Sequence, residues 1–381
     1  MMTRKLIGKI HLWLGLSSGL VVFIIAITGC LYAFQDEIKN LVQGYRFVSA
    51  SEQPFLPPSQ LKAIGEQSLP GKQVHAVLYQ GRTDAARVIF YSDTAQYYYI
   101  VYANPYTGEV LKVRNENADF FRFVLDGHFY LWLPANIGKP VIASATLIFL
   151  VMVVSGIVLW WPRNKAGRKQ RFRFQWKETT RWKRKNYDLH NILGFYIATL
   201  ALVFAVTGLV WGFQWFEKGY YALLSGGEKM VAFEEAHSKV PAGITGQSPA
   251  MDRIWSRFSN DMPANGSIEI HAPEDATSVI EVSVNPDKGT YWKTDYRYFD
   301  QYTLEELEVA HIWGRFKNAS ASARLMRMNY DLHVGAVLGL PGKILAFFAS
   351  LVIASLPVTG TLVWWGRKKK KVAGKPKKEY S

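Results

Sequence analysis

Apolar residues gather in this chain into four long runs, at about 10–34, 140–161, 189–216 and 338–365. About 20 residues of helix, rising about 1.5 Å each, cross the roughly 30 Å of hydrocarbon in a bilayer. None of the runs carries Asp, Glu, Lys or Arg in its middle, apart from Lys343 near the start of the fourth. The pattern predicts four transmembrane helices. After the first and third runs the spacing changes. In the first of these stretches a helix is expected at 58–68, followed by two-residue alternation at 73–79, 86–91 and 97–103 and the turn Asn104-Pro105-Tyr106-Thr107-Gly108-Glu109. In the second, the expected helix is 251–258 and the strands 267–271, 278–285 and 290–293. Asp300-Gln301-Tyr302-Thr303-Leu304-Glu305 echoes the earlier turn, with Leu304 where Gly108 stood.

The chain thus reads as a tandem repeat of helix, small α+β domain, helix. His11-Leu12-Trp13-Leu14-Gly15 answers His190-Asn191-Ile192-Leu193-Gly194, and each run reaches a Thr-Gly step at the same distance, Thr28-Gly29 and Thr207-Gly208. The closing helices match as well. His128 precedes Leu133-Pro134, Gly138-Lys139, Ser155-Gly156 and Trp160-Trp161, while His333 precedes Leu340-Pro341, Gly342-Lys343, Thr359-Gly360 and Trp364-Trp365. Both halves run in–out–in, so the fold class is a four-helix membrane bundle of two parallel repeats related by an axis along the membrane normal, with two small outer α+β domains. The expected segments are helix 1–36, outer domain 37–127, helix 128–162, basic loop 163–187, helix 188–217, outer domain 218–332, helix 333–366 and basic tail 367–381.

Charge sets the sidedness. The 381 residues carry a formal net charge of +15, and the start, the 163–185 stretch and the tail hold 22 of the 45 basic residues with only Glu178 and Glu379 as acids. Basic loops stay cytoplasmic, so both termini and the middle loop are expected inside. Because these cations flank membrane helices, the partner they imply is the lipid bilayer rather than nucleic acid. Cys30 is the one cysteine. That excludes an intramolecular disulfide, a cysteine-ligated iron–sulfur cluster and Cys-x-x-Cys-His haem attachment. Ile27-Thr28-Gly29-Cys30 has the look of a lipobox, but Thr-Gly recurs inside later helices, so it reads as a packing step and the first helix as retained.

Four histidines at repeat-related positions carry the candidate chemistry. A lone histidine near a helix end is ordinarily interfacial or structural. A twofold axis, however, carries His11 onto His190 and His128 onto His333, and a ligand on that axis receives two equivalent imidazoles from opposite sides. That is the arrangement of a bis-histidine haem iron. Gly15 and Gly194, four residues on, share the histidines' helical face and leave room for a porphyrin. Gly29 and Gly208, eighteen residues on and roughly 27 Å along the helix, make room at a second level. Zinc is disfavoured because each pair lacks carboxylate or thiolate partners to complete a tetrahedron. Asp188 and Asp331, in matching Asn-Tyr-Asp-Leu-His segments, are candidates to cap helices or orient imidazoles. His75, His237 and His271 are read as unclustered, and His311 as a lone group near the membrane that could help accept a substrate.

The chain resembles the PepSY-associated transmembrane proteins, a group that includes iron-regulated bacterial inner-membrane proteins and ferric-siderophore reductases. The resemblance rests on His11-x-x-Leu14-Gly15 with Thr28-Gly29, the Pro105-Tyr106-Thr107-Gly108-Glu109 turn, and Leu332-His333-x-Gly335-x-x-x-Gly339-Leu340-Pro341-Gly342-Lys343 leading to Trp364-Trp365. It implies that the outer domains are PepSY-like and periplasmic. It also implies an inner-membrane oxidoreductase holding two b-type haems at His11/His190 and His128/His333, and delivering electrons to a ferric chelate or siderophore. No Gly-rich dinucleotide fingerprint is present, so the donor is expected to be a quinol or a separate reductase. Two other readings stand beside this one. One is a haem subunit serving another periplasmic reductase; the other is a non-redox PepSY scaffold or peptidase regulator.

Overall fold

The computed structural model describes residues 4–162, 171–240 and 249–372. Part of the expected basic loop (163–170) and most of the basic tail lie outside the described residues. The chain divides into a helical unit (1–34, 124–217, 332–381) and a sheet unit (35–123, 218–331).

In the helical unit, four helices are long and apolar enough to cross a membrane: Arg4–Ala33, Ala135–Trp160, Trp182–Gly212 and Ala336–Gly366. Each begins several residues earlier than its apolar core, or close to it, because polar residues continue the helix into the interface. The helices form a ring in which the first packs on the second and fourth, and the third on the second and fourth. Diagonal partners are therefore the first with the third and the second with the fourth. At mid-height the ring is closed by small and branched side chains: Val22 and Ala26, Ala201, Ile353 and Ala354, with Phe149 and Val153 against them. Small residues let helix backbones approach where lipid supplies no hydrophobic drive.

The sheet unit differs from two separate small domains. Its eight strands form one antiparallel sheet in the order β4-β3-β2-β1-β5-β6-β7-β8. The strands are β1 Ala76–Tyr79, β2 Ala86–Ser92, β3 Tyr97–Ala103, β4 Val110–Asn115, β5 Ser267–His271, β6 Val279–Asn285, β7 Asp295–Asp300 and β8 Glu306–Leu307. Each half is a four-stranded meander, and the first strands of the two meanders pair, Val77 against Ile270 and Tyr79 against Ile268. Helices Pro58–Ser68 and Ala250–Phe258 cover one face over a core that draws Leu61, Val77 and Phe90 from one half and Ile254, Ile270 and Phe299 from the other. Tyr79 stacks on Trp255 at 4.1 Å across the seam. Asp252 accepts hydrogen bonds from the Ser59 backbone N–H at 2.9 Å and from its hydroxyl, which ties the two helices together.

The two turns are the same structure built from different residues. Gly108 N–H bonds to Asn104 O, and Leu304 N–H to Asp300 O, both at 2.9 Å, while the Asn104 and Asp300 side chains each accept from the amide two residues on. Gly108 sits at φ +78° and Leu304 at φ +58°. Leucine in the left-handed region costs conformational energy, which its burial in the core offsets. The strand expected at 290–293 is a turn instead. The strand begins at Asp295, because the Tyr291 and Trp292 amides are taken by the Asp331 carboxylate at 2.8–3.1 Å and cannot join a ladder.

Candidate functional site

Three of the four histidines lie where a helix is ending or irregular. His11 is on the first spanning helix, and His128 is near the end of helix Phe120–Tyr130. His190 occupies a π-helical turn, Leu189–Leu193, a widening of the helix often met at functional positions. His333 ends the short helix Asn329–His333. The chain then turns sharply through Gly335 at φ +79°, where a Cβ would lie 2.3 Å from the Gly342 carbonyl oxygen. Only glycine fits there, which explains the Gly335 and Gly342 spacing. In the first half the same departure is made by Leu131 and Trp132, both with positive φ, while Gly138 packs against the Tyr130 backbone.

The histidines share one seat, used four times. His11 Nδ1 lies 2.9 Å from Ser155 Oγ, His190 Nδ1 3.0 Å from Thr359 Oγ1, His128 Nδ1 3.2 Å from Thr28 Oγ1, and His333 Nδ1 2.8 Å from Thr207 Oγ1. The residue after each hydroxyl is glycine, and the imidazole edge rests on it. A Cβ added at Gly156, Gly360, Gly29 or Gly208 would stand 3.4, 3.0, 3.3 or 3.6 Å from the Cε1 of its histidine.

These contacts fix the hydrogen on each ring. Every one of the hydroxyls donates to a carbonyl of its own helix: Thr28 to Ile24 O, Thr207 to Val203 O, Thr359 to Ser355 O and Ser155 to Met152 O. A hydroxyl has one hydrogen, so toward the imidazole it can only accept. His128 Nδ1 also lies 2.9 Å from Ile25 O, which has no hydrogen to give. A neutral imidazole held in this way carries its hydrogen on Nδ1 and presents a bare Nε2 lone pair, the form that binds a metal.

Of the two expected pairs, His128 and His333 lie close together, and His11 and His190 line one cavity. His128 and His333 ring centres are 6.1 Å apart with planes at 71°. A metal–imidazole bond of about 2 Å and about 1.1 Å from nitrogen to ring centre place two imidazoles, trans on one metal, with centres about 6 Å apart. His11 and His190, on diagonal helices, both line a cavity of about 410 Å³ that Gly15, Gly194, Gly156 and Gly360 also line. Its size is in the range of sites that take a small organic molecule. Among the described residues no group of three His, Cys, Asp or Glu is arranged to hold a metal ion. Two imidazoles alone suit a metal that brings its remaining ligands with it, as a haem iron does.

The structure reassigns several expected roles. Gly15 and Gly194 line the cavity, but Gly29 and Gly208 are seats for the imidazoles of His128 and His333. Asp188 accepts from Trp176 Nε1 and Arg184 Nε, and Asp331 from the Tyr291 and Trp292 amides, so in both cases the hydrogen bonds go elsewhere than to an imidazole. Ser155, Thr28, Thr207 and Thr359 do the orienting. The sequence signal was there, a hydroxyl residue before each glycine, but it read only as a packing step.

His75, just before β1, and His271, at the end of β5, do cluster, with ring centres 4.8 Å apart, each beside a glutamate, Glu274 and Glu269. His237 is exposed. His311 is buried, accepts the Trp313 N–H and packs on Phe233, and burial pushes its imidazole below the ordinary value.

The family described as PepSY-associated TM region matches residues 9–367, nearly the whole chain. No curated protein matches it.

Proposed function

Because the chain belongs to the PepSY-associated transmembrane family, a family of membrane proteins, we propose that it is a transmembrane electron carrier. In this reading it holds two b-type haems, between His11 and His190 and between His128 and His333, and reduces ferric chelates on the periplasmic side of a bacterial inner membrane. The observation that carries the proposal is the His128/His333 pair: two imidazoles 6.1 Å apart, each with Nδ1 held by a threonine hydroxyl. When bound, a bis-imidazole haem supplies a one-electron Fe(III)/Fe(II) couple with no open coordination position.

The chain's own residues supply position and environment. The Thr-Gly and Ser-Gly steps hold the imidazoles edge-on against a backbone that cannot yield. The mid-height cluster of Val22, Ala26, Ala201 and Ile353 separates the two levels with apolar side chains that exclude water. Spacing along the first helix sets the levels apart. His11 and the seat of His128 at Gly29 are eighteen residues, or roughly 27 Å, apart along the axis. Weakening the grip of hard oxygen chelators by reducing their iron is the use proposed for that span.

The test begins with pyridine haemochrome analysis of the purified chain, which should give two haems b per chain. His333→Ala and His190→Ala should each remove one. Mixing the reduced protein with ferric chelates should reoxidise it. If haem is present but no ferric chelate reoxidises it, a subunit serving another periplasmic reductase is the better reading. A chain without a Soret band after expression with ample haem is a scaffold or peptidase regulator.

A further inference from the structure

We infer that Ser155, Thr28, Thr207 and Thr359 are positioning residues that set the electron affinity of the two sites, acting through the imidazoles they hold. The inference rests on the bis-histidine reading and adds to it which residues tune the couples and in which direction.

Three observations carry it. The same hydroxyl–imidazole contact occurs at all four histidines, at 2.8–3.2 Å, on four different helices' worth of sequence. In each case the hydroxyl hydrogen is committed to a carbonyl of its own helix, at 2.6–3.1 Å. The hydroxyl is thus locked as an acceptor. Finally, carboxylates stand two residues before His190 and His333, yet Asp188 and Asp331 are engaged elsewhere. The side-chain partner at Nδ1 is therefore a neutral hydroxyl.

An acceptor on Nδ1–H draws the hydrogen away and gives the ring imidazolate character, which makes Nε2 a stronger donor to metal. A stronger donor favours Fe(III) over Fe(II) and moves the couple to lower potential. That direction suits an acceptor whose oxygen donors hold Fe(III) tightly. The push is graded. A backbone carbonyl adds a second acceptor at His128, from Ile25 at 2.9 Å. Among the described contacts, His11 has Ser155 as its acceptor and no such carbonyl.

Spectroelectrochemical titration of the purified, haem-loaded protein reads the effect. Thr207→Val keeps the shape and removes the acceptor. It should leave two haems per chain and shift one midpoint to more positive potential, with the other unmoved, and Thr207→Ser should return it to the wild-type value. Ser155→Ala should shift the other midpoint in the same direction. Two haems with both midpoints unchanged in both variants overturn the inference while leaving the haem reading intact. A wild-type chain that holds no haem overturns the haem reading itself. Should one variant lose its haem, the other decides, since they probe different sites.

Discussion

At Gly360 a single methyl decides whether an imidazole can keep its place. An alanine Cβ there would stand 3.0 Å from His190 Cε1, tighter than ordinary contact, whereas at Gly194 the nearest atom is Leu356 Cδ2 at 3.7 Å. If the chain holds two haems as proposed, Gly360→Ala should therefore displace His190 and lower the haem recovered at one site, toward one haem per chain in place of two, while Gly194→Ala should leave both. Haemochrome quantitation of the two variants side by side checks this; equal loss in both would mean that the cavity wall, not the seat, is the sensitive feature. The His128/His333 pair allows a spectroscopic prediction too. If the two imidazoles hold a haem iron as proposed, their planes at 71° should give the oxidised protein the highly anisotropic low-spin electron paramagnetic resonance signal of nearly perpendicular ligands. Parallel planes would give a more compact rhombic signal. At this scale the sequence was half legible. The closeness of His128 and His333 was expected from the repeat, but the partners of Nδ1 were not. Thr207 is 126 residues from His333, and nothing local shows that one helix's hydroxyl meets another segment's ring.

Elements were legible where their periodicity was their own. Strand β3 and strand β5 begin and end where the alternation does, and helix Pro58–Ser68 starts at its proline. Others were not, and three of them show why. β4 alternates poorly, with most of its residues exposed, and β8 is two residues long. The third is the turn at 290–293, whose Thr-Tyr-Trp composition favours a strand but whose amides are held by Asp331 from forty residues away. Asp331 is fully buried. Its removal leaves the Tyr291 and Trp292 amides unsatisfied, so Asp331→Ala should destabilise the sheet unit by about 1–3 kcal/mol. Faster hydrogen exchange at those two amides would locate the loss; unchanged exchange would show that the contact is dispensable.

The β7–β8 pair makes a second prediction at this scale. Burial alone would push the Glu306 carboxyl up, but the paired hydrogen bonds and charge of Arg297, with Arg315 and Lys317 nearby, hold it below its ordinary value of 4.5. A depressed acid contributes stability that is complete above its unfolded value and is lost as pH falls through its folded one. Acidification below pH 4.5 should thus weaken wild-type β7–β8 pairing more steeply than that of Glu306→Gln, as followed by hydrogen exchange across Arg297 and Leu307.

For the whole molecule, the repeat predicts two outer domains, and the structure joins their strands into one sheet. The reason is visible at the seam. A four-stranded meander with one helix leaves the edge of its first strand unpaired, and an exposed edge invites another strand. Each half offers the same edge, so β1 and β5 satisfy one another with a register that stacks Val77 on Ile270 and Tyr79 on Ile268. Periodicity reports which residues face inward but not which edge a strand will take, so this pairing across some 190 residues lay beyond the sequence. The consequence is energetic coupling of the halves. Ile270 is fully buried in the shared core, and Ile270→Ala should cost about 2–5 kcal/mol through lost burial and the cavity left behind. In a single cooperative sheet that loss is felt on both sides of the seam. Protection should therefore fall in β2 as well as in β6, although β2 lies entirely in the other half of the chain. Loss confined to 218–331 would mean that the two meanders pair yet fold independently.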